Sequence, residues 1–407
     1  MAITEQSVRL TPETVARIQE ALRARGLDGW LLFDFHGSNP VASALLGLPA
    51  LTRRYFVLVP AEGKPTALTH GIEQQPWEGW IGDKLVYSGW RELESSLREM
   101  LAGVRRVAME YTPNDAVPYV DVVPAGVIEL VRAAGAEPES SGDLVSAFHA
   151  VWSAEGEASH RRASAVVRDT AHGAFERIAA AVKAGETITE WEVREWIGAQ
   201  LAGRGITVGG DAIVAVNANA ANPHYAPSEE RSAEIRRGDL VLIDLWGKEN
   251  DDAIFADQTW MAFVGEEVPE RLAGIFAALS EAREAACSLV IERFAAGTEV
   301  AGYEVDDAAR AVIDRSGFGE YVIHRTGHSI DRSLHGSGPN IDNMETRDTR
   351  TIIPGVGFSV EPGIYIPGDV GFRSEVNMFV AAAGPEVTTA KPQHRLYPLL
   401  AENPFAG

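Results

Sequence analysis

Short apolar runs separated by longer amphipathic stretches fill the first part of the chain. Gly29 to Phe33, Tyr55-Phe56-Val57-Leu58-Val59 and Val107-Ala108-Met109 predict strands, while Glu92 to Leu101 and Ala125 to Ala134 predict helices between them. An earlier helix opens at Thr11-Pro12-Glu13, where threonine can cap free amides and proline fixes the first turn, and Gly26 closes it. Strands alternating with helices make this an α/β domain. Pro138-Glu139-Ser140-Ser141-Gly142-Asp143 reads as a turn, and the domain boundary is placed after it, with 1–152 in the first domain and 153–407 in the second.

The second part opens with a long helix, Glu157 to Val182, ended by Lys183-Ala184-Gly185; Thr189 with Glu192 then forms a capping box. Two apolar runs follow, one around Asp244 and one around Asp257. A chain reversal at Asn250-Asp251 places these two aspartates directly opposite each other in a hairpin. A second hairpin, turning at Gly368, sets Glu361 against Glu375 in the same way. Like charges opposed across a sheet, with Cβ atoms roughly 4.5 to 5.5 Å apart, are destabilising unless something neutralises them. A bound cation is the simplest neutraliser.

One further segment carries histidines, His324-Arg325-Thr326-Gly327-His328 through His335. The spacing of His324 and His328 would suit a helix face, but Gly327 and the β-branched neighbours favour a strand or loop. Asp244, Asp257, His328, Glu361 and Glu375 together form the oxygen-rich, nitrogen-poor donor set that a pair of divalent metal ions needs.

Composition narrows the classes. The chain has 407 residues, 45% of them hydrophobic, enough for two or three domains with full cores. Its single cysteine, Cys287, excludes an internal disulfide framework and falls in the amphipathic pattern from Pro269 to Phe294, a core position. A net charge of -22 argues against nucleic acid or anionic membranes as partners. No apolar stretch approaches a membrane span, and Met1-Ala2-Ile3-Thr4-Glu5 has no leader pattern, so a cytoplasmic location is expected. His70, Trp77 and Trp80 read as aromatic loop packing and Arg53-Arg54 as a solvated turn.

In order along the chain, Asn222-Pro223-His224-Tyr225, Ile243-Asp244-Leu245, Ala256-Asp257-Gln258-Thr259, the histidine segment, Val360-Glu361-Pro362-Gly363-Ile364-Tyr365 and Gly371-Phe372-Arg373-Ser374-Glu375 resemble the pita-bread metallopeptidases. That group includes methionine aminopeptidase, prolidase and aminopeptidase P. The resemblance implies an α/β (α+β) chain: a creatinase- or prolidase-like first domain, then a pita-bread catalytic domain. It implies that Asp244 serves one metal, His328 and Glu361 the other, and that Asp257 and Glu375 bridge them. Glu361, His224 and His335 would act in catalysis, and His224, His324, His335 and Arg373 would line the substrate. A hydroxide between the ions would attack the scissile carbonyl.

Mn²⁺ suits the hard ligand set, with Co²⁺ or Zn²⁺ as other occupants. The additional first domain disfavours methionine aminopeptidase, and intact ligands disfavour creatinase, which shares the fold without metal. The expected activity is hydrolysis of Xaa-Pro dipeptides, the alternative an Xaa-Pro aminopeptidase on longer peptides, and the third reading a binding protein without peptidase activity. The family implies a homodimer. Two positions depart from its pattern, Trp260 where arginine is common and Val376 where a polar residue is usual; both are expected to alter the rim of the site.

Overall fold

The computed structural model describes residues 10–405; the stretch Met1 to Glu5 lies outside them. The chain divides into two compact units that meet at Ala150 and Val151.

The first unit is one six-stranded sheet with helices on both faces. Its strands are β1 (Gly29–Asp34), β2 (Tyr55–Pro60), β3 (Thr66–His70), β4 (Asp83–Tyr87), β5 (Arg106–Met109) and β6 (Glu137–Ser140), in the order β4-β3-β2-β1-β5-β6. The helices are α1 (Pro12–Ala24), α2 (Pro40–Leu46), α3 (Trp90–Met100), α4 (Ala125–Ala133) and α5 (Gly142–Phe148). Thr11 caps α1, as its sequence predicts. Because side chains alternate along a strand, Trp30 and Leu32 enter one core with α1, α2 and α5, whereas Leu31 and Phe33 enter another with α3 and α4. Both faces are buried, which is why β1 reads as a continuous apolar run.

The expected turn at Pro138 to Asp143 is corrected: Pro138, Glu139 and Ser140 pair in parallel with Val107, Ala108 and Met109, and α5 begins at Gly142. An edge strand tolerates proline because one side of its backbone needs no partner. Trp77 is buried edge-to-face against Tyr55 and Trp80, and His70 packs against Tyr87.

In the second unit, α6 (Ala154–Ala184) and α7 (Glu190–Gly203) cover one face of a sheet ordered β16-β9-β8-β7. Its strands are β7 (Val208–Val216), β8 (Leu240–Lys248), β9 (Ala256–Phe263) and β16 (Tyr397–Pro398). Val241, Ile243 and Leu245 of β8 and Ala256, Trp260 and Ala262 of β9 turn toward those helices and form the core. The alternate positions, including Asp244, Asp257 and Thr259, are left on the opposite face.

Opposite that face lie a second sheet, β10 (Ser329–Ile330), β11 (Gly357–Val360), β14 (Val376–Ala381) and β15 (Gly384–Val387), and a ribbon of β12 (Gly363–Ile366) and β13 (Val370–Arg373). Long helix α8 (Glu270–Ala295) packs against β13 and β15 and pairs with α9 (Gly302–Arg315). Cys287 is buried in α8, and burial pushes its thiol up to about 12, so it is inert core.

Candidate metal centre

The centre is built from strand alternation and two register details. In the first hairpin Asp244 pairs with Thr259 and Asp257 with Trp246, so the aspartates are diagonal neighbours rather than directly opposed. The expectation of a turn at Asn250-Asp251 placed β9 too early, because Ala253 to Phe255 belong to the connection and the strand starts at Ala256. An offset of two residues preserves the shared face, and both carboxylates still point the same way.

The second hairpin keeps its predicted register but is interrupted. β12 pairs with β13 and β11 with β14 on one continuous register, which sets Glu361 and Glu375 at matching positions in the gap between the two ladders. There the backbone amides turn elsewhere: Glu361 donates to Thr326 O in the loop before β10 at 2.6 Å and Glu375 to Thr259 O on β9 at 3.3 Å. Close approach is allowed by small residues. A Cβ on Gly371 would collide with the carbonyl of Ala220, and one on Gly327 with that of Ser359.

His328 lies in a loop that runs into β10, and its surroundings fix its tautomer. Nδ1 faces the Ser329 carbonyl at 3.0 Å, which can only accept, so the proton sits there and Nε2 is left toward the carboxylates. Nε2 is 3.5 Å from Asp257 Oδ2 and 3.3 Å from Glu361 Oε1. Asp257, His328 and Glu375 bring one ligand atom each within 4.8 Å of one another.

In Asp244 and Glu375 one carboxylate oxygen is hydrogen-bonded and the other is not, and in Asp257 one oxygen only faces the His328 ring. Asp244 Oδ2 meets Arg373 at 2.5 Å, Asp257 Oδ2 faces His328, and Glu375 Oε2 accepts from Thr259 Oγ1 at 2.9 Å. Asp244 Oδ1, Asp257 Oδ1 and Glu375 Oε1 are buried without a hydrogen-bond partner. Orphaned buried carboxylate oxygens are costly, and several in one cluster are what a divalent cation requires. These residues fit such a metal.

The electrostatics agree. Burial, together with the charges of Asp257, Glu361 and Asp244, holds Glu375 well above the usual carboxylate range. Burial also lifts Asp257 to about 7 despite its contact with His328, and raises Asp244 although Arg373 opposes the rise. Glu361 is the exception: burial works against ionisation there too, but the charges of His328, His324 and Arg373 outweigh it and lower its carboxyl. Burial disfavours charge on His328, yet its bond to Asp257 and the Glu361 charge leave it raised.

The other predicted residues fall in two groups. His335 and His224 are exposed, with the His335 ring 4.2 Å from that of His328. His324 and Arg373, expected to face substrate, bond protein groups as well. His324 bonds the Arg325 carbonyl at 2.6 Å and the Tyr365 hydroxyl at 2.7 Å. Each of the three Arg373 nitrogens has a partner: Thr259 for Nε, Tyr365 for one terminal nitrogen and Asp244 for the other. Arg373 therefore holds a carboxylate in place. Trp260, expected at the rim, is in the core beneath the sheet, since period two turns it away from Asp257 and Thr259. Val376 is likewise buried, not at a rim.

Sequence reasoning does not single out Ser359 or Asn377, which are fully buried and directly opposite each other on β11 and β14. Ser359 Oγ accepts from the His328 amide at 3.0 Å and donates to Glu361 Oε1 at 2.9 Å. Asn377 Oδ1 accepts from the Asp257 amide at 3.0 Å. Both sit two positions from a glutamate, on the same strand face, and that spacing was the available signal.

Comparison with known proteins agrees with this geometry. A family model described as metallopeptidase family M24 matches residues 159–382. An Xaa-Pro dipeptidase of Lactobacillus delbrueckii subsp. lactis is 36% identical over 165 residues, 40% of this chain and 40% of that protein. The chain spans about two fifths to a half of the length of the curated relatives it matches. Among solved structures, a dipeptidase PepE from Mycobacterium ulcerans aligns over 94% of this chain and 96% of its own, at a TM-score of 0.68 and 24% identity. An X-Pro aminopeptidase from Thermotoga maritima aligns over 94% and 99%, at 0.59 and 21%. Those two likenesses show the shared two-domain architecture. With its second unit matched by the family model and its acidic residues and histidine gathered between two facing sheets, the chain belongs to metallopeptidase family M24.

Proposed function

We propose that this chain hydrolyses the imide bond of Xaa-Pro dipeptides, using two divalent metal ions held by Asp244, Asp257, His328, Glu361 and Glu375. The observation that carries the reading is the set of buried carboxylate oxygens left without a partner, one each on Asp244, Asp257 and Glu375. Asp244, Asp257, His328, Glu361 and Glu375 would be the residues that hold them, with Asp257, His328 and Glu375 already within reach of a common point. Four carboxylates against one imidazole favour Mn²⁺ over Zn²⁺ on ligand hardness. When bound, such ions supply Lewis acidity and bring the pKa of a water molecule toward neutrality.

The side chains do the rest. Glu361, oriented by Ser359, accepts the proton of the attacking water and delivers it to the leaving nitrogen. That nitrogen belongs to proline and carries no hydrogen, so protonation from the enzyme is what makes it a competent leaving group. His224 and His335, both exposed, align the scissile carbonyl. Arg373, Tyr365 and His324 form a hydrogen-bonded row beside Asp244 that orients this ligand and favours its ionised form.

The test is a metal-dependent assay with Ala-Pro and Ala-Pro-Ala. The expected result is cleavage of Ala-Pro with Mn²⁺ and loss of both bound metal and activity in Asp257→Ala. Full activity in chelated protein would sink the mechanism. Comparable efficiency on the tripeptide would replace the dipeptidase reading with an Xaa-Pro aminopeptidase.

A further inference from the structure

Glu190 is a fully buried carboxylate that makes no ion pair among the described residues, and the chemistry just described does not use it. It stands at the first turn of α7 and gathers donors from two other stretches of chain. Oε1 accepts from the Val216 amide at 2.8 Å and from Asn219 Nδ2 at 3.0 Å. Oε2 accepts from the Tyr225 hydroxyl at 2.7 Å, the Ala233 amide at 2.8 Å and Asn219 Nδ2 at 3.2 Å. The Glu190 amide in turn donates to the Ala233 carbonyl at 3.0 Å, so that strand segment is clasped from both sides. Asn219 also donates to the Tyr225 hydroxyl at 3.1 Å, which closes the network.

Every donor lies at the end of β7 or in the loop that follows it. That loop carries His224, an exposed side chain adjacent to Tyr225. A buried carboxylate satisfied only by neutral donors holds its partners tightly, because each bond is charge-assisted and each lost donor exposes part of a buried charge. We infer that Glu190 is a positioning residue for His224: it fixes the loop from Asn219 to Ala233 through Tyr225, and so sets where His224 meets the substrate. This rests on the role proposed for His224. It adds a determinant of substrate binding on an element, α7, that supplies no proposed ligand.

Glu190→Gln is the informative change. All the partners of Glu190 are donors, two of them backbone amides that cannot reverse, so an amide nitrogen in either position loses at least one bond without altering side-chain volume. Tyr225→Phe removes a single bond and serves as the milder variant. With Mn²⁺-loaded enzyme and Ala-Pro, the expected result for Glu190→Gln is a KM raised about tenfold, bound metal unchanged, and a smaller rise of the same kind for Tyr225→Phe. In a His224→Ala background the Glu190→Gln effect should shrink to within about twofold, because a residue acting through His224 has nothing left to position. Hydrogen exchange of amides 219–233 should accelerate in Glu190→Gln, a readout independent of turnover.

Unchanged exchange would overturn the anchoring, and an equal loss of activity with and without His224 would overturn positioning in favour of a general folding role. If the wild type cleaves no Xaa-Pro peptide, the functional reading fails by itself, and the exchange measurement still decides the anchoring.

Discussion

Ser359→Ala tests how far the metal centre depends on residues that are not ligands. The hydroxyl joins two proposed ligands, accepting from the His328 amide at 3.0 Å and donating to Glu361 Oε1 at 2.9 Å. Removing it deletes a charge-assisted bond worth about 1.5 to 3 kcal/mol and leaves the buried His328 amide unsatisfied. Only the part of this loss expressed in the metal-bound geometry weakens binding, which leaves about 1.4 to 2.7 kcal/mol, or roughly 10- to 100-fold in metal affinity. Competition against a chelator of known affinity measures it directly. Ser359→Thr keeps the hydroxyl and should restore most of the affinity. A Ser359→Ala protein that binds metal within about threefold of wild type would refute the reasoning, since His328 and Glu361 would then need no support from the strand beside them.

Two further outcomes follow from buried charge and protonation. Arg373→Met leaves the Asp244 carboxylate without its cation in chelated protein, a loss of about 3 to 5 kcal/mol, and metal should relieve much of it; denaturant unfolding with and without chelator should show a larger penalty without metal. His160 is fully buried between the Phe255 carbonyl and the Thr388 hydroxyl, and burial lowers it from 6.5 to about 4. Its folded-state value lies below its unfolded one, so its contribution is present above pH 6.5 and disappears as the pH falls toward 4. Wild type should lose about 2 kcal/mol more stability than His160→Gln between about pH 7 and 5, and equal losses would remove His160 as the cause.

Much of this arrangement was legible because strand alternation is a two-residue rule and survives errors of register. Asp244 and Asp257 were expected face to face and are in fact displaced by two residues, yet they share a face either way. The Gly368 hairpin kept its register because a single tight turn fixes the pairing on both sides. What escaped was the environment of each side chain. His324 and Arg373 have the chemistry of substrate contacts, and only the fold shows that Tyr365, Thr259 and Asp244 already occupy their nitrogens. Trp260 was assigned to the rim for want of a facing argument that the alternation from Asp257 would have supplied. Pro138 suggested a turn, and edge placement made it a strand.

The break in the second hairpin has a consequence for how the protein forms. The Glu375 amide and carboxylate both bond to Thr259, 116 positions earlier in the chain, and Asp257 is held by Asn377 across 120. Closing contacts of such sequence separation is slow, so the centre is assembled late, after the two sheets have found each other. A metal ion therefore cannot nucleate this unit as it does a zinc finger. A metal ion held there would enter a finished cage and act on the rate of unfolding rather than the rate of folding.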